Sequence, residues 1–451
     1  MWKEFLSDAA AAAAEYADNR MSTRSDVSTP SPRATPAWDH FRACALDSAR
    51  AVASNAESLA SGSSAVSAGS SAGAQPSSPN AAAGFLHSLG TQAIAVVERK
   101  AKQAAMPNAS SEQLQLALFG TRLADLAYLS SESELQAGLA RLAGRPELLH
   151  FQRQATSRQN LRTVVLPQWF IARSRDAAAL YVVFRGTAST DDVLRDLMAS
   201  PVAQGPLRFH GGFLGGVRDD TTLRAMLGAY LDGASTRLYL VGHSLGGSLA
   251  LVLPCLVPSL VPPSFAGRIT VVAIGSPPVL HGPLDAAAAQ QPAAATSPAR
   301  ALALGAAALP PAAARCRALV VVNAADAVPR VLGSPMPLSA PFLAKFARQA
   351  AESAITRRGG GGGGGGDRER VRAASQALLR TLPDYVHLSQ TEVVLVQDGG
   401  DAISVPPTER HLVLHLHESL SPNALQHHHT EEYVKNLEAA VRRANAQQAR
   451  S

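Results

Sequence analysis

Thr236-Arg237-Leu238-Tyr239-Leu240-Val241-Gly242-His243-Ser244-Leu245-Gly246-Gly247-Ser248-Leu249-Ala250 is the stretch whose reading decides the fold. Its first half is an apolar run of strand formers, and its second half is small and helix-compatible. Between them, Gly242-x-Ser244-x-Gly246 predicts a turn so tight that only glycine tolerates the close approach on either side. Strain in such an elbow lifts the serine hydroxyl onto an exposed tip. The helix that follows points its first backbone N–H groups at any oxyanion formed there. Gly-x-Ser-x-Gly alone is a common accident, so its weight comes from the strand before it and the helix after it.

Strand, elbow and helix in that order are the nucleophile elbow of an α/β-hydrolase. The surrounding sequence predicts the rest of such a fold. Leu114, Leu116, Leu118, Leu123, Leu126 and Leu129 predict a long helix with a wide apolar face, so the folded part starts near Ser111. Trp169–Ala172 and Leu180–Phe184 predict a hairpin around Arg173–Asp176. Further strands are predicted at Ile269–Ile274, Leu319–Val322, Glu392–Val396 and His411–Leu416, with helices between most of them. Together they predict an α/β class: a mainly parallel central sheet flanked by helices. Leu245–Phe265 carries no charge, but Pro254, Pro258, Pro262 and Pro263 interrupt it. It reads as a buried helix and its exit loop rather than a membrane span.

Residues 1–110 are rich in Ser, Ala, Pro and Gly, with too few large apolar groups to offset chain entropy. They predict a low-complexity, mostly disordered N-terminal region before a domain at 111–445. Within it, Gly84–Met106 could form a helix packed loosely on the domain. Two flexible insertions are expected, an Ala/Pro-rich one at about 286–314 and one at about 355–372 around the run Gly359–Gly366. The arginines flanking those glycines read as solvated charge.

A net charge of +6 without basic blocks interleaved with aromatics argues against nucleic acid as a partner. Cys44, Cys255 and Cys316 lack metal-type spacing and read as reduced thiols of an intracellular protein. The N-terminus shows no secretory signal pattern. Its Ser/Ala/Arg content fits a plastid transit peptide, against which Glu4, Asp8, Glu15, Asp18 and Asp26 count.

A serine hydroxyl needs a base within hydrogen-bond reach and an acid to orient that base. In α/β-hydrolases the chain order is Ser, then acid, then His. Asp326 follows the apolar run Leu319–Val322 and a short turn, in a stretch poor in other carboxylates. Asp367 and Asp384 fall in worse contexts. His427, His428 and His429 precede a helix marked by Tyr433, Leu437, Ala440 and Val441, so the base is expected among these three. His387, His411, His415 and His417 are outsiders; His411, His415 and His417 would share one strand face. Leu245, just after the serine, and Thr187, in the loop after Val182-Val183-Phe184, are expected to supply the oxyanion hole.

The chain resembles the class 3 lipase family. The motifs are Val-Val-Phe-Arg-Gly-Thr (182–187), His-Gly-Gly-Phe (210–213), Val-Gly-His-Ser-Leu-Gly-Gly (241–247), Ala-Ile-Gly-Ser-Pro-Pro (273–278) and Val-Val-Asn-Ala-Ala-Asp-Ala-Val-Pro-Arg (321–330). The resemblance spans roughly Ser111–Arg443. It implies Ser244 as nucleophile, Asp326 as acid and His428 as base, with Leu245 and Thr187 at the oxyanion positions. It also implies that Ser189–Val202 is a lid, with Val193, Leu194, Leu197 and Met198 on one helical face. Pro277-Pro278 resembles the diacylglycerol-lipase-like branch. The expected activity is serine carboxylic-ester hydrolysis of acylglycerols or membrane lipids, at a membrane or lipid-droplet surface, with no cofactor and no metal. A scaffold without activity would lack a triad member, and a soluble esterase would not need the apolar lid face.

Overall fold

The computed structural model describes residues 102–103, 105–159, 162–175, 179–187, 201–205, 207–231, 236–256, 265, 267–281, 309–323, 325–331, 385–388, 391–414 and 426–450. The chain divides into two compact units, Met1–Met106 and Pro107–Ser451. In the first, the described residues include a turn closed by the Met106 N–H on the Gln103 carbonyl at 3.1 Å. The second holds the sheet and the candidate site.

Helix α1 (Ser111–Leu126) starts on a capping box: Ser110 Oγ accepts from the Gln113 N–H, and Gln113 Oε1 accepts from the Ser110 N–H. Helix α2 (Glu132–Leu139) is capped by Ser131. Strands β1 (Glu147–Gln152), β2 (Ala155–Gln159), β3 (Arg162–Leu166), β4 (Trp169–Arg173), β5 (Ala179–Phe184), β6 (Pro201–Gln204) and β7 (Leu207–His210) follow. Next come α3 (Gly211–Arg218), α4 (Thr221–Tyr230), β8 (Arg237–His243), α5 (Leu245–Val252), β9 (Ile269–Ile274) and β10 (Leu280–His281). The described elements close with α6 (Pro311–Arg315), β11 (Arg317–Asn323), α7 (Val328–Val331), β12 (Tyr385–Val386), β13 (Thr391–Val396), β14 (Ala402–Val405) and α8 (Thr430–Gln448).

The main sheet has eight strands in the order β1-β4-β5-β8-β9-β11-β13-β14. β5, β8, β9, β11 and β13 run parallel, and the edges are antiparallel. The central strands are almost continuously Val, Ile, Leu and Ala because both faces are covered. On one face Val183, Val241, Val272, Val321 and Val394 meet Leu114, Ala117 and Leu123 of α1 and Tyr433, Leu437 and Ala440 of α8. On the other, α5 packs against β8 and β9. A Cβ at Gly120 would fall 2.7 Å from Val272 Cγ1, so glycine there sets how closely α1 approaches the sheet. A smaller sheet, β12-β10-β7-β6, lies apart from the main one in hydrogen bonding.

One expectation needs correction. The strand expected at His411–Leu416 is not one over its described part: a 3-10 helix spans Pro407–Leu412, and Val413 and Leu414 follow in a turn and bend. Pro407 has no N–H for a ladder and its fixed φ opens a helical turn, which overrides the alternation of residues beyond it. The last strand of the sheet is the shorter β14. Pro201 and Val202, which close the expected lid, belong to strand β6. The remainder of that lid, residues 1–101, Gly359–Gly366, His415, His417, Asp367 and Asp384 lie outside the described residues. Leu245–Phe265 begins as α5 and a 3-10 turn at Leu253–Leu256. Among the described residues no helix is long and apolar enough to cross a membrane.

Candidate active site

Ser244 leaves β8 with φ 56° and ψ −126°, a left-handed conformation costly for a residue with a Cβ. Its surroundings hold it there. A Cβ on Gly242 would run into the Gly246 backbone, and one on Gly246 would run into the Phe184 carbonyl. The Ser244 N–H donates to the Ile274 carbonyl at 2.8 Å. Helix α5 begins at the next residue, so the Leu245 N–H has no acceptor within the helix.

Two distant loops meet this serine. A 3-10 turn at Gln426–His428 leads into α8 and puts His428 Nε2 2.8 Å from Ser244 Oγ. His428 Nδ1 lies 2.9 Å from Asp326 Oδ2. A carboxylate only accepts, so Nδ1 carries the proton and Nε2 is left to accept from the serine hydroxyl. Asp326 comes just past the carboxyl end of β11. All three side chains are shut away from water: the residues are 1% (Ser244), 4% (His428) and 0% (Asp326) exposed.

A buried carboxylate must be satisfied from every side. The Val328 N–H donates to Asp326 Oδ1 at 2.8 Å, and Tyr433 Oη–H donates to Oδ2 at 2.6 Å. Burial alone would raise the Asp326 pKa, but the His428 ring, the Tyr433 phenol and the Val328 amide outweigh it and hold the carboxyl below its ordinary value. Burial and then the charge of Asp326 push Tyr433 well above the usual phenol range, so it stays a donor. Its oxygen also accepts the Asn323 N–H at 3.1 Å. Arg330 Nη1 holds the Asp326 backbone carbonyl at 2.5 Å, and its Nε holds that of Val413 at 2.8 Å.

The other expected residues fall around this core. His427 is partly buried, with Nδ1 3.7 Å from Asp398 Oδ1, and its carbonyl accepts from Asn323 Nδ2 at 2.9 Å. His429 is exposed at the start of α8. His387 is buried but sits beside β12 in the smaller sheet. Burial, helped by the Arg410 charge, takes its pKa down to about 3. Thr187 follows Gly186, where a Cβ would stand 3.1 Å from Ser244 Cβ. Among the described residues, the buried Thr187 Oγ1 has no hydrogen-bond partner. Among the described residues no cluster of His, Cys, Asp and Glu could hold a metal ion. Cys255 and Cys316 are buried, and their Sγ atoms lie against the carbonyls of Leu251 and Ala313.

Sequence reasoning missed the partners of the triad-like chain. Tyr433 is legible in the sequence as an apolar face residue of a helix, but nothing signals that its hydroxyl reaches Asp326. Gly275 is a second omission. Its φ is 56°, and a Cβ there would fall 2.9 Å from both Asp326 Oδ2 and Tyr433 Oη, and 3.1 Å from His428 Cε1. The signal was the Ile274-Gly275-Ser276 step at the end of a strand.

This chain of contacts sits at the carboxyl ends of β5, β8, β9 and β11, where a parallel sheet presents its ligands. Residues 181–335 match the model of the class 3 lipases. The matched segment takes in most of β5, the elbow and Asp326. The triacylglyceride lipase of Rhizomucor miehei is 16% identical with a TM-score of 0.40, over 67% of this chain and 88% of that one. The lipase of Rhizopus microsporus var. chinensis is 17% identical with a TM-score of 0.40, over 71% and 90%. A triacylglycerol lipase of Penicillium expansum is 13% identical with a TM-score of 0.35, over 66% and 84%. No curated protein matches the chain.

Proposed function

We propose that the protein is a serine lipase that hydrolyses acyl esters of acylglycerols or membrane lipids through an acyl-enzyme. The observation that carries this reading is the unbroken chain Ser244 Oγ to His428 Nε2 at 2.8 Å and His428 Nδ1 to Asp326 Oδ2 at 2.9 Å. Ser244 Oγ attacks the ester carbonyl as His428 Nε2 takes its proton. Asp326 holds the ring in the tautomer that accepts and stabilises the imidazolium that forms. The oxyanion receives the Leu245 N–H at the first position of α5, and the amide and hydroxyl of Thr187. The Thr187 Oγ1, buried and without a partner among the described residues, supports that role. Collapse expels the alcohol with the proton from His428. Water then attacks the acyl-enzyme, giving its proton to His428 and releasing the acid as Ser244 recovers its own.

The burial of Ser244, His428 and Asp326 and the apolar pattern of Ser189–Val202 in the sequence support a substrate met at a membrane or lipid-droplet surface. The test compares wild type with Ser244→Ala on long-chain emulsified esters and on short soluble ones. The proposal expects wild-type turnover of the long-chain esters and a loss of at least about 10³-fold in the variant. Equal activity of the two proteins would refute the enzyme reading. Turnover restricted to short soluble esters would replace the lipase with a soluble esterase.

A further inference from the structure

Beneath the candidate site lies a second set of hydrogen bonds that the ester chemistry leaves unused. His243 Nε2 is 2.6 Å from the backbone carbonyl of His428. His243 Nδ1 is 2.8 Å from Tyr128 Oη. Gly186 lies against the same oxygen: a Cβ there would fall 2.4 Å from Tyr128 Oη, and its backbone amide favours negative charge on the phenol.

The polarity of every link is fixed. A carbonyl only accepts, so His243 Nε2 carries the proton. Burial and then the neighbouring His428 hold the His243 pKa down at about 3, so the ring is neutral and Nδ1 is a bare acceptor. Tyr128 must therefore donate to it, with the Gly186 amide beside the phenol oxygen.

We propose that Tyr128 and His243 are positioning residues, a one-way relay that ties the oxyanion loop at Gly186-Thr187 to the backbone of His428. This inference rests on the lipase reading above. The oxyanion donors and the base come from segments more than two hundred residues apart, 187 and 428. Their relative placement decides whether serine, carbonyl and imidazole line up, and about 1 Å of misplacement costs on the order of 100-fold in rate.

Tyr128 is well placed to set that spacing because it is itself held. It follows α1 by one residue after Ala127. Gln168 Nε2 bonds the carbonyls on both sides of it, Ala127 at 2.7 Å and Leu129 at 2.8 Å. Gln168 Oε1 accepts from Arg185 Nη1 at 3.3 Å, and the Arg185 guanidinium lies 5.5 Å from the centre of the Tyr128 ring. The loop that follows β5 is thus pinned to the end of α1 by a side chain, a ring face and a phenol oxygen.

The experiment is Tyr128→Phe, which removes one oxygen and keeps the ring. On a chromogenic ester the relay expects kcat to fall about 10- to 100-fold while KM stays within about twofold. A purely structural role would lower the melting temperature and leave kcat per folded molecule unchanged, and that result would overturn the proposal. A double-mutant cycle with Thr187→Val keeps the proposal testable if the single variant is less stable. With the oxyanion loop already impaired, Tyr128→Phe should cost several-fold less than in wild type. Equal cost in both backgrounds would overturn it. The rate of phosphonylation by a p-nitrophenyl alkylphosphonate separates the two levels of inference. Failure of wild type to label at Ser244 would refute the lipase reading and the relay with it. Labelling at Ser244 at the same rate in wild type and Tyr128→Phe would refute the relay alone.

Discussion

Tyr433→Phe isolates one oxygen that two buried groups share. The phenol donates to Asp326 Oδ2 at 2.6 Å and accepts from the Asn323 N–H at 3.1 Å. Phenylalanine keeps the ring, which is fully buried against α1 and the sheet, so packing is unchanged. A hydrogen bond to a charged group contributes about 1.5–3 kcal/mol, and an orphaned buried amide costs about 1–3 kcal/mol. With partial relaxation, the expected loss of stability is about 3 kcal/mol. Urea unfolding at pH 7 measures it, with an unchanged m-value showing that the unfolded state is the same. Catalysis should suffer less. Asp326 keeps the His428 Nδ1–H and the Val328 N–H, so ester turnover should fall by no more than about tenfold. A stability change under about 0.5 kcal/mol would refute the hydrogen-bond account. A kcat loss as large as that of Asp326→Asn would show that Tyr433 does more than support the carboxylate.

Asp326→Asn should leave the contacts nearly isosteric but favour the wrong imidazole tautomer, with a kcat loss on the order of 10⁴-fold and little change in KM. Gly275→Ala should lower turnover at least about 100-fold, since its Cβ would crowd Asp326 Oδ2 and His428 Cε1 at a φ of 56°; wild-type turnover of purified Gly275→Ala would contradict it. Burial chiefly holds His243 and His387 at pKa values of about 3 against 6.5. Both folded-state values are depressed, so the unfolded chain takes up these protons first. Stability should therefore fall as the pH drops from about 6.5 toward 3, by up to about 2.7 kcal/mol per pH unit for the pair. Asp326, held below its usual value, adds its own loss only under about pH 4. Denaturant melts at pH 7, 5.5 and 4.5 check the slope, and a flat profile would contradict the buried neutral rings.

The parts of the fold legible in the sequence are those where one strand carries its own signal. β5, β8, β9, β11 and β13 are buried on both faces over most of their length, so each carries an apolar run broken only near its ends. The edges were harder. β1 and the short β14 are half-covered or brief, and their pairing is set by neighbours far away in the chain. Alternation at His411–Leu416 pointed to a strand that the Pro406-Pro407 step turned into a 3-10 helix.

In the candidate site, glycine spacing around Ser244 and the apolar approach to Asp326 are local properties, and the chain states them directly. Three adjacent histidines do not reveal by themselves which one faces inward. The 3-10 turn before α8 and the hydrogen bond from His243 to the His428 carbonyl turn 428 toward Ser244, while 427 faces Asp398 and 429 faces solvent. By itself the sequence determined the elbow, the apolar strands and the order of serine, acid and histidine, because backbone strain and hydrophobic period are written into neighbouring residues. The tertiary structure put His428, which the residues themselves left level with its two neighbours, against the serine, and it alone decided which phenols support the site. Those distances belong to side chains from separate segments, and only packing α1 and α8 onto one sheet face makes them short.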